Sequence, residues 1–320
     1  MTNTLVIDTS YGSTVGVVGH EPVVERDSRT HVERLQVDIA DAIEEAGLHS
    51  SDIERIVVGI GPAPFTGLRA GIVTAKALAF STGAELLGQD ALSAQASMMA
   101  AYHRGEFPFP ESVGVARISE ASGVRDETTE SPAKPTAVSH VTLAVNDARR
   151  KQLYFTLIAD ADDASSGQSH GNGYGNHKVL IDMDIDYPQR IAERVNAAIA
   201  QHDSLSGTHT VVDVVGHGAA KYAESWSTLS QLGVVLDASV LDMGSQGLTW
   251  YAEHAHANRG MTQAGSDGNA DGGALADSYT NNRAISPTDA IEPLYLRRPD
   301  VSVPSPLKHV LHHAGADRAE

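Results

Sequence analysis

Two short apolar runs in this chain end in an acid, and each is followed at the same distance by a second run. Leu5-Val6-Ile7-Asp8 leads through a polar turn, Thr9 to Ser13, into Thr14–Val18. Val141–Val145 closes with Asn146-Asp147 and leads to Leu153–Ile158, so Asp8 to Thr14 and Asp147 to Leu153 are both six-residue offsets. One supersecondary plan used twice gives such a repeat, and the chain is expected to build two related units. In the first, a third strand near Pro22–Arg26 makes a meander. Val32, Leu35, Ile39, Ala42, Ile43 and Ala46 then fall at helical spacing, with Gly47 as a stop. Ile56–Ile60, largely β-branched, predicts a buried strand. A helix from about Thr66 to Ser81, a strand at Glu85–Leu87 and a helix over Leu92–Ala101 complete a mixed-sheet α/β unit. The second unit continues with a helix over Gln189–Gln201, a strand at Val211–Val215, a Gly-His-Gly turn, a helix over Ala219–Trp226 and a last strand at Ile291–Leu296.

Three stretches fit neither unit. Residues 104–137, 161–177 and 260–282 are rich in small, polar and charged residues and predict flexible insertions. The expected organisation is a first lobe over 1–103, the insertion 104–137, a second lobe over 138–300 holding the other two insertions, and a loose tail over 301–320. The net charge is −18, from 23 Lys+Arg against 41 Asp+Glu. Nucleic-acid affinity comes largely from basic groups that displace phosphate counterions, so such a chain is not expected to grip RNA or DNA alone. With no cysteine, disulfides, thiol catalysis and Cys-based zinc sites are excluded. No apolar stretch is long enough for a membrane span, and MTNTLVIDTS is not a signal sequence, so a cytoplasmic protein is expected.

The stretch GIGPAPFTGLRAG, Gly59 to Gly71, resembles a phosphate loop but lacks the spacing. Five residues separate Gly61 from Gly67, and Leu68-Arg69 stands where a P-loop needs Lys-Ser/Thr. Pro64 occupies the place of the third glycine in a dinucleotide loop. The histidines also fail on spacing. His31 does not begin HExxH, His254 and His256 point to different helix faces, and His309, His312 and His313 lie in an unanchored tail. No metal site is expected. The acid-ended strands are the better chemical signal, because a tight turn offers N–H and hydroxyl donors to phosphate while the carboxylate orders a hydrated cation. Asp8-Thr9-Ser10 and Asp147 would form two such turns, with Gly216 and Gly218 on the adenosine side; acids also cap tight turns for purely local reasons.

The helix after the glycine-rich loop is apolar on nearly every side, which implies cover on more than one side. Gly67, Gly71, Ala75 and Ala79 fall at steps of four, a smooth stripe for close approach. That approach is either to the helix's own sheet or to a partner helix. The second reading makes Leu35, Ile39, Gly67, Leu68, Gly71, Ile72, Ala75 and Leu78 the contact residues.

In order along the chain, DTSYGSTVGVV, GPAPFTGLRAGIVTAKALA, VNDARRKQLYF, VVGHGAAKY and EPLYLR resemble the TsaB family, the dimerisation subunits of the bacterial tRNA threonylcarbamoyladenosine machinery. The resemblance implies an actin-like (ASKHA) fold with two RNase-H-like lobes and descent as a degenerate paralogue of the transferase TsaD. It implies a non-catalytic subunit that pairs with TsaD through first-lobe helices, with TsaE as a further partner and tRNA reached only through the complex. It requires no cofactor, and it leaves open weak ATP or ADP binding at Asp8, Thr9, Ser10, Asp147, Gly216 and Gly218, and a homodimer of the free chain. TsaD-type proteins carry a metal-binding HxxxH pair just after the strand that follows the glycine-rich helix, whereas Leu86–Ala100 here holds no histidine. Ala63-Pro64 replaces the family's usual Gly-Ser, which further weakens the loop for phosphate. The alternative is an active ATP-dependent kinase or hydrolase of the same fold, using Asp8 and Asp147.

Overall fold

A computed structural model describes residues 2–27, 30–109, 115–117, 138–159, 178–207, 209–255 and 291–296. Strands β1 (Thr4–Asp8), β2 (Ser13–Val17), β3 (Val23–Glu25), β4 (Arg55–Gly61) and β5 (Glu85–Asp90) form one sheet in the order β3-β2-β1-β4-β5. The first three are antiparallel, and β1, β4 and β5 run parallel. Helices α1 (His31–Glu45), α2 (Phe65–Thr82) and α3 (Ala91–His103) belong to this lobe.

The second sheet holds β6 (Val115–Arg117), β7 (Val138–Asp147), β8 (Leu153–Ala159), β9 (Lys178–Asp186), β10 (His209–Val215) and β11 (Leu232–Leu236), in the order β6-β11-β10-β7-β8-β9. Without β6 and read from the other edge, it becomes β9-β8-β7-β10-β11, the order of the first sheet. The expected offsets are cross-strand partners in both: Asp8 faces Thr14, and Asp147 faces Leu153. With α4 (Pro188–Ser206), α5 (Ala223–Trp226) and α6 (Gly244–Glu253), the duplicated plan makes the two-lobed actin-like α/β fold.

The sequence reading differs from the structure in four places. Strands β6, β9 and β11 and helix α6 were not expected. The helix expected over 219–226 is a 3-10 turn, Ala220–Tyr222, followed by the single turn of α5. The segment 104–137 is not wholly an insertion: it supplies β6, and Phe107 lies in the core. Residues 291–296 are not a strand, although Leu294 N–H donates to Ile60 O at 2.8 Å and Ile291 is buried. β4 already has β1 and β5 on its two sides, and Pro293 has no N–H to give, so no ladder can form. The insertions 161–177 and 260–282 and the tail 301–320 lie outside the described residues.

Helix α2 resolves the two readings of its stripe. Gly67, Gly71, Ala75 and Ala79 are buried against their own lobe, and a Cβ at Gly71 would lie 2.4 Å from Thr9 Oγ1. Leu35, Ile39, Leu68 and Ile72 are buried in the same core, with Leu78 packed against it. These residues pack within their own lobe: small side chains let α2 sit close on β1 and β4, and the larger ones fill the core. The outer face carries Val73 and Phe80, 64% and 88% exposed, beside Val37 of α1 at 52%.

Helix α3 is shared by the two lobes. Every residue from Leu92 to Ala101 except Ser93 is buried, because β4 and β5 cover it from one lobe and β7, β8 and β10 from the other. Asp90 caps its start, accepting from Ser93 N–H at 2.7 Å. Helix α6 crosses back to pack on β1, so Val6, Val57, Leu92, Met98, Ala144, Val215, Leu248 and Tyr251 share one core. Each large side chain among them contributes roughly 1.5–3 kcal/mol by leaving water. Among the described residues, no helix is long and apolar enough to cross a membrane.

Candidate functional site

The site begins at the C-terminal end of β1, where Asp8 lines a cavity together with Asn146, His217 and Tyr251 of the second lobe. Asp8 is buried, and its carboxylate accepts from Ser10 N–H at 2.8 Å, Ser10 Oγ at 3.1 Å and the Tyr251 hydroxyl at 2.9 Å. Tyr251 comes from α6 and also reaches Gln89 O at 3.0 Å. Burial pushes the Asp8 carboxyl up, against the opposing pull of Ser10, Tyr251 and His217. Burial and the neighbouring Asp8 also push the Tyr251 phenol well up, so it keeps its proton. That single proton faces two acceptors.

Tyr251 thus takes up an oxygen of Asp8, the acid expected to order a hydrated cation. The cavity left among Asp8, Ser10, Gln95, Asn146 and His217 measures about 20 Å³, room for one water. Gln95 of α3 directs its amide nitrogen to Val145 O and Val215 O at 3.2 and 3.1 Å. Over the cavity, His217 stacks on Tyr11 with ring centroids 3.8 Å apart. Its Nε2 meets Asp242 Oδ2 at 2.7 Å, and Asp242 also pairs with Arg26 at 3.0 Å. Burial raises the Asp242 carboxyl, but His217, Ser239 N–H and Arg26 outweigh it and bring the pKa to about 2. Tyr11 and Arg26 belong to the first lobe and His217 and Asp242 to the second, so these contacts tie the lobes across the cleft.

The other expected nucleotide contacts are also engaged internally. Asp147 accepts from Arg149 N–H at 2.7 Å and pairs with Lys221 Nζ at 3.0 Å. In the glycine turn, Gly218 and Ala220 N–H both donate to Asp237 Oδ1, at 2.9 and 3.2 Å. An internal carboxylate therefore takes up the N–H groups of this turn, and Gly216 is closely packed, since a Cβ there would lie 1.9 Å from Val145 O. Ser10 lines both the inner cavity and an outer groove of about 720 Å³, which Thr9 and Asp147 share with Arg26, Phe65 and Arg149. Thr9 Oγ1 is buried there without a hydrogen-bond partner among the described residues. At its rim, Arg149, Arg150 and Lys151 have φ of 62°, 52° and 62°, a left-handed run that costs roughly 1–2 kcal/mol per residue.

Tyr251, His217, Tyr11, Asp242 and Gln95 were not legible as site residues. Tyr251 and Asp8 are 243 positions apart, so no local spacing joins them, and the Gly-His-Gly turn drew attention to its glycines rather than to His217. Tyr251→Phe is expected to cost about 1–3 kcal/mol by removing the hydroxyl that Asp8 and Gln89 O share. Denaturant unfolding of the two proteins measures it, and equal midpoints would show that the hydroxyl contributes nothing.

The family model described as TsaD, tRNA N6-adenosine threonylcarbamoyltransferase, matches residues 16–117, from β2 to β6. An uncharacterised protein of Mycobacterium tuberculosis is 41% identical over 163 residues, 49% of this chain and 59% of that protein. This chain thus spans about three fifths of the length of such curated mycobacterial relatives. A tRNA N6-adenosine threonylcarbamoyltransferase of Cereibacter sphaeroides is 40% identical over 74 residues, 23% of this chain and 20% of that enzyme. Among solved structures, YeaZ from Pseudomonas aeruginosa aligns with a TM-score of 0.47 at 21% identity, covering 79% of this chain and 92% of that one. Two sheets of one order are thus joined through α3 and α6, and over residues 16–117 the chain is similar to the TsaD family.

Proposed function

We propose that this chain is a non-catalytic subunit of the tRNA threonylcarbamoyladenosine machinery, holding a TsaD-type transferase in its working arrangement. The observation that carries the reading is Tyr251 on Asp8: the acid that would order a cation is buried under a phenol, with about 20 Å³ left beside it. The TsaD match over residues 16–117 supports the same machinery. The docking surface is the outer face of α1 and α2, around Val37, Val73 and Phe80, rather than the buried stripe. TsaE is the third member, and the acidic chain meets tRNA only through the complex.

Reconstitution tests it. TsaD with TsaE is expected to modify tRNA only when this chain is added, and the chain alone is expected to show no transfer. Calorimetry with Mg-ATP is expected to show no binding to the free chain up to millimolar nucleotide. One-to-one ATP binding with turnover lost in Asp8→Ala would replace the proposal with an active kinase or hydrolase, for which the outer groove has the volume.

A further inference from the structure

We propose that His103, His140 and Asp213 form a binding site for one first-row divalent metal ion, best matched by zinc. The three residues come from three elements. β7 and β10 are parallel neighbours, with His140 opposite Val211 and Thr142 opposite Asp213, and α3 lies across them with His103 in its last turn. His103 Nε2 and His140 Nδ1 converge on one atom, Asp213 Oδ2, at 2.7 and 2.8 Å. The candidate ligand atoms all lie within 4.8 Å of one another. This is the end of α3 away from the cleft, and so not the place where the resemblance puts a TsaD-type HxxxH pair.

The donor set at this point suits a transition-metal ion. The two imidazoles face each other with centroids 3.9 Å apart. Asp213 is buried with its other oxygen fixed by Val234 N–H at 2.7 Å, the kind of support that orients a metal-binding carboxylate. A divalent ion would take one lone pair from each ring and from the carboxylate. Across a tetrahedral ion with bonds near 2.0–2.1 Å, ligand atoms stand about 3.3 Å apart, so each ring nitrogen would draw back from Asp213 Oδ2 by about half an ångström. Two nitrogens and one oxygen suit zinc or cobalt and not magnesium or calcium, which prefer all-oxygen sites. The histidine side chains are 22% and 34% exposed, which gives the ion a way in and leaves a coordination position for water. Bound there, it would clamp the shared helix to the second lobe.

Metal-stripped full-length chain is titrated with zinc chloride by calorimetry and with cobalt(II) by visible absorption. A variant with His309, His312 and His313 changed to Gln serves as the reference, so that ion held by those histidines is not counted. The reference is expected to bind one equivalent with a dissociation constant below about 10 μM and to show cobalt d–d bands that saturate at one equivalent. His103→Gln in the same background is expected to weaken binding at least tenfold with circular dichroism unchanged. No saturable zinc binding, no cobalt bands, or equal affinity in His103→Gln would each overturn the proposal. The cobalt spectrum of the reference decides the matter even if His103→Gln folds poorly.

Discussion

Phe80→Asp is expected to release this chain from TsaD while leaving its own fold intact. Phe80 is 88% exposed on the outer face of α2, and Val73, 64% exposed, lies two turns back on the same face. A substitution at such a position shifts stability by about 0.5 kcal/mol or less, so the melting curve should not move appreciably. A buried aromatic anchor, by contrast, contributes about 2 kcal/mol or more to an interface, and a carboxylate in its place adds an unpaired charge. Together these predict affinity weakened about 100-fold or more. Size exclusion of purified TsaD with each variant reads the outcome. If Phe80→Asp and Val73→Asp both co-elute with TsaD as the wild type does, the docking face lies elsewhere.

Gly71→Glu should do something different: it should destroy the folded chain. A Cβ at this position would lie 2.4 Å from Thr9 Oγ1 and 3.0 Å from Thr9 Cγ2, so α2 would have to lift from β1. A carboxylate forced into that contact has no partner, and the combined overpacking and buried charge should exceed about 4 kcal/mol. Circular dichroism and soluble yield measure it, and a normally melting Gly71→Glu would contradict the inward placement of the stripe. Loss of TsaD binding in Gly71→Glu therefore says nothing about the docking face, whereas the same loss in Phe80→Asp does.

The two glycine-stripe readings show where the sequence was informative and where it was not. Period and spacing placed α1, α2, β4, β7 and β8 well, because a half-buried helix and a buried strand write their burial into consecutive residues. The stripe at Gly67, Gly71, Ala75 and Ala79 correctly signalled close approach but not what approaches, since small residues suit a sheet and a partner helix equally. β9 escaped notice because none of its residues from Lys178 to Asp186 is fully buried and acids interrupt it. At the site, Asp8 and Asp147 were found through equal offsets from their partner strands, a local signal. Tyr251 over Asp8, and His103 and His140 on Asp213, are long-range meetings that only the assembled lobes create.

The crossing of α6 and of residues 291–296 bears on how the chain is made. The first lobe's sheet and helices are synthesised within the first third of the sequence, yet Leu248 and Tyr251 press on its inner side and Ile291 sits in its core. At about 5–20 residues per second, a ribosome takes on the order of 10–40 s to supply those pieces. During that interval the nascent lobe holds β1 without its cover, and Asp8 without the phenol that seals it. Residues made late thus complete the unit begun first.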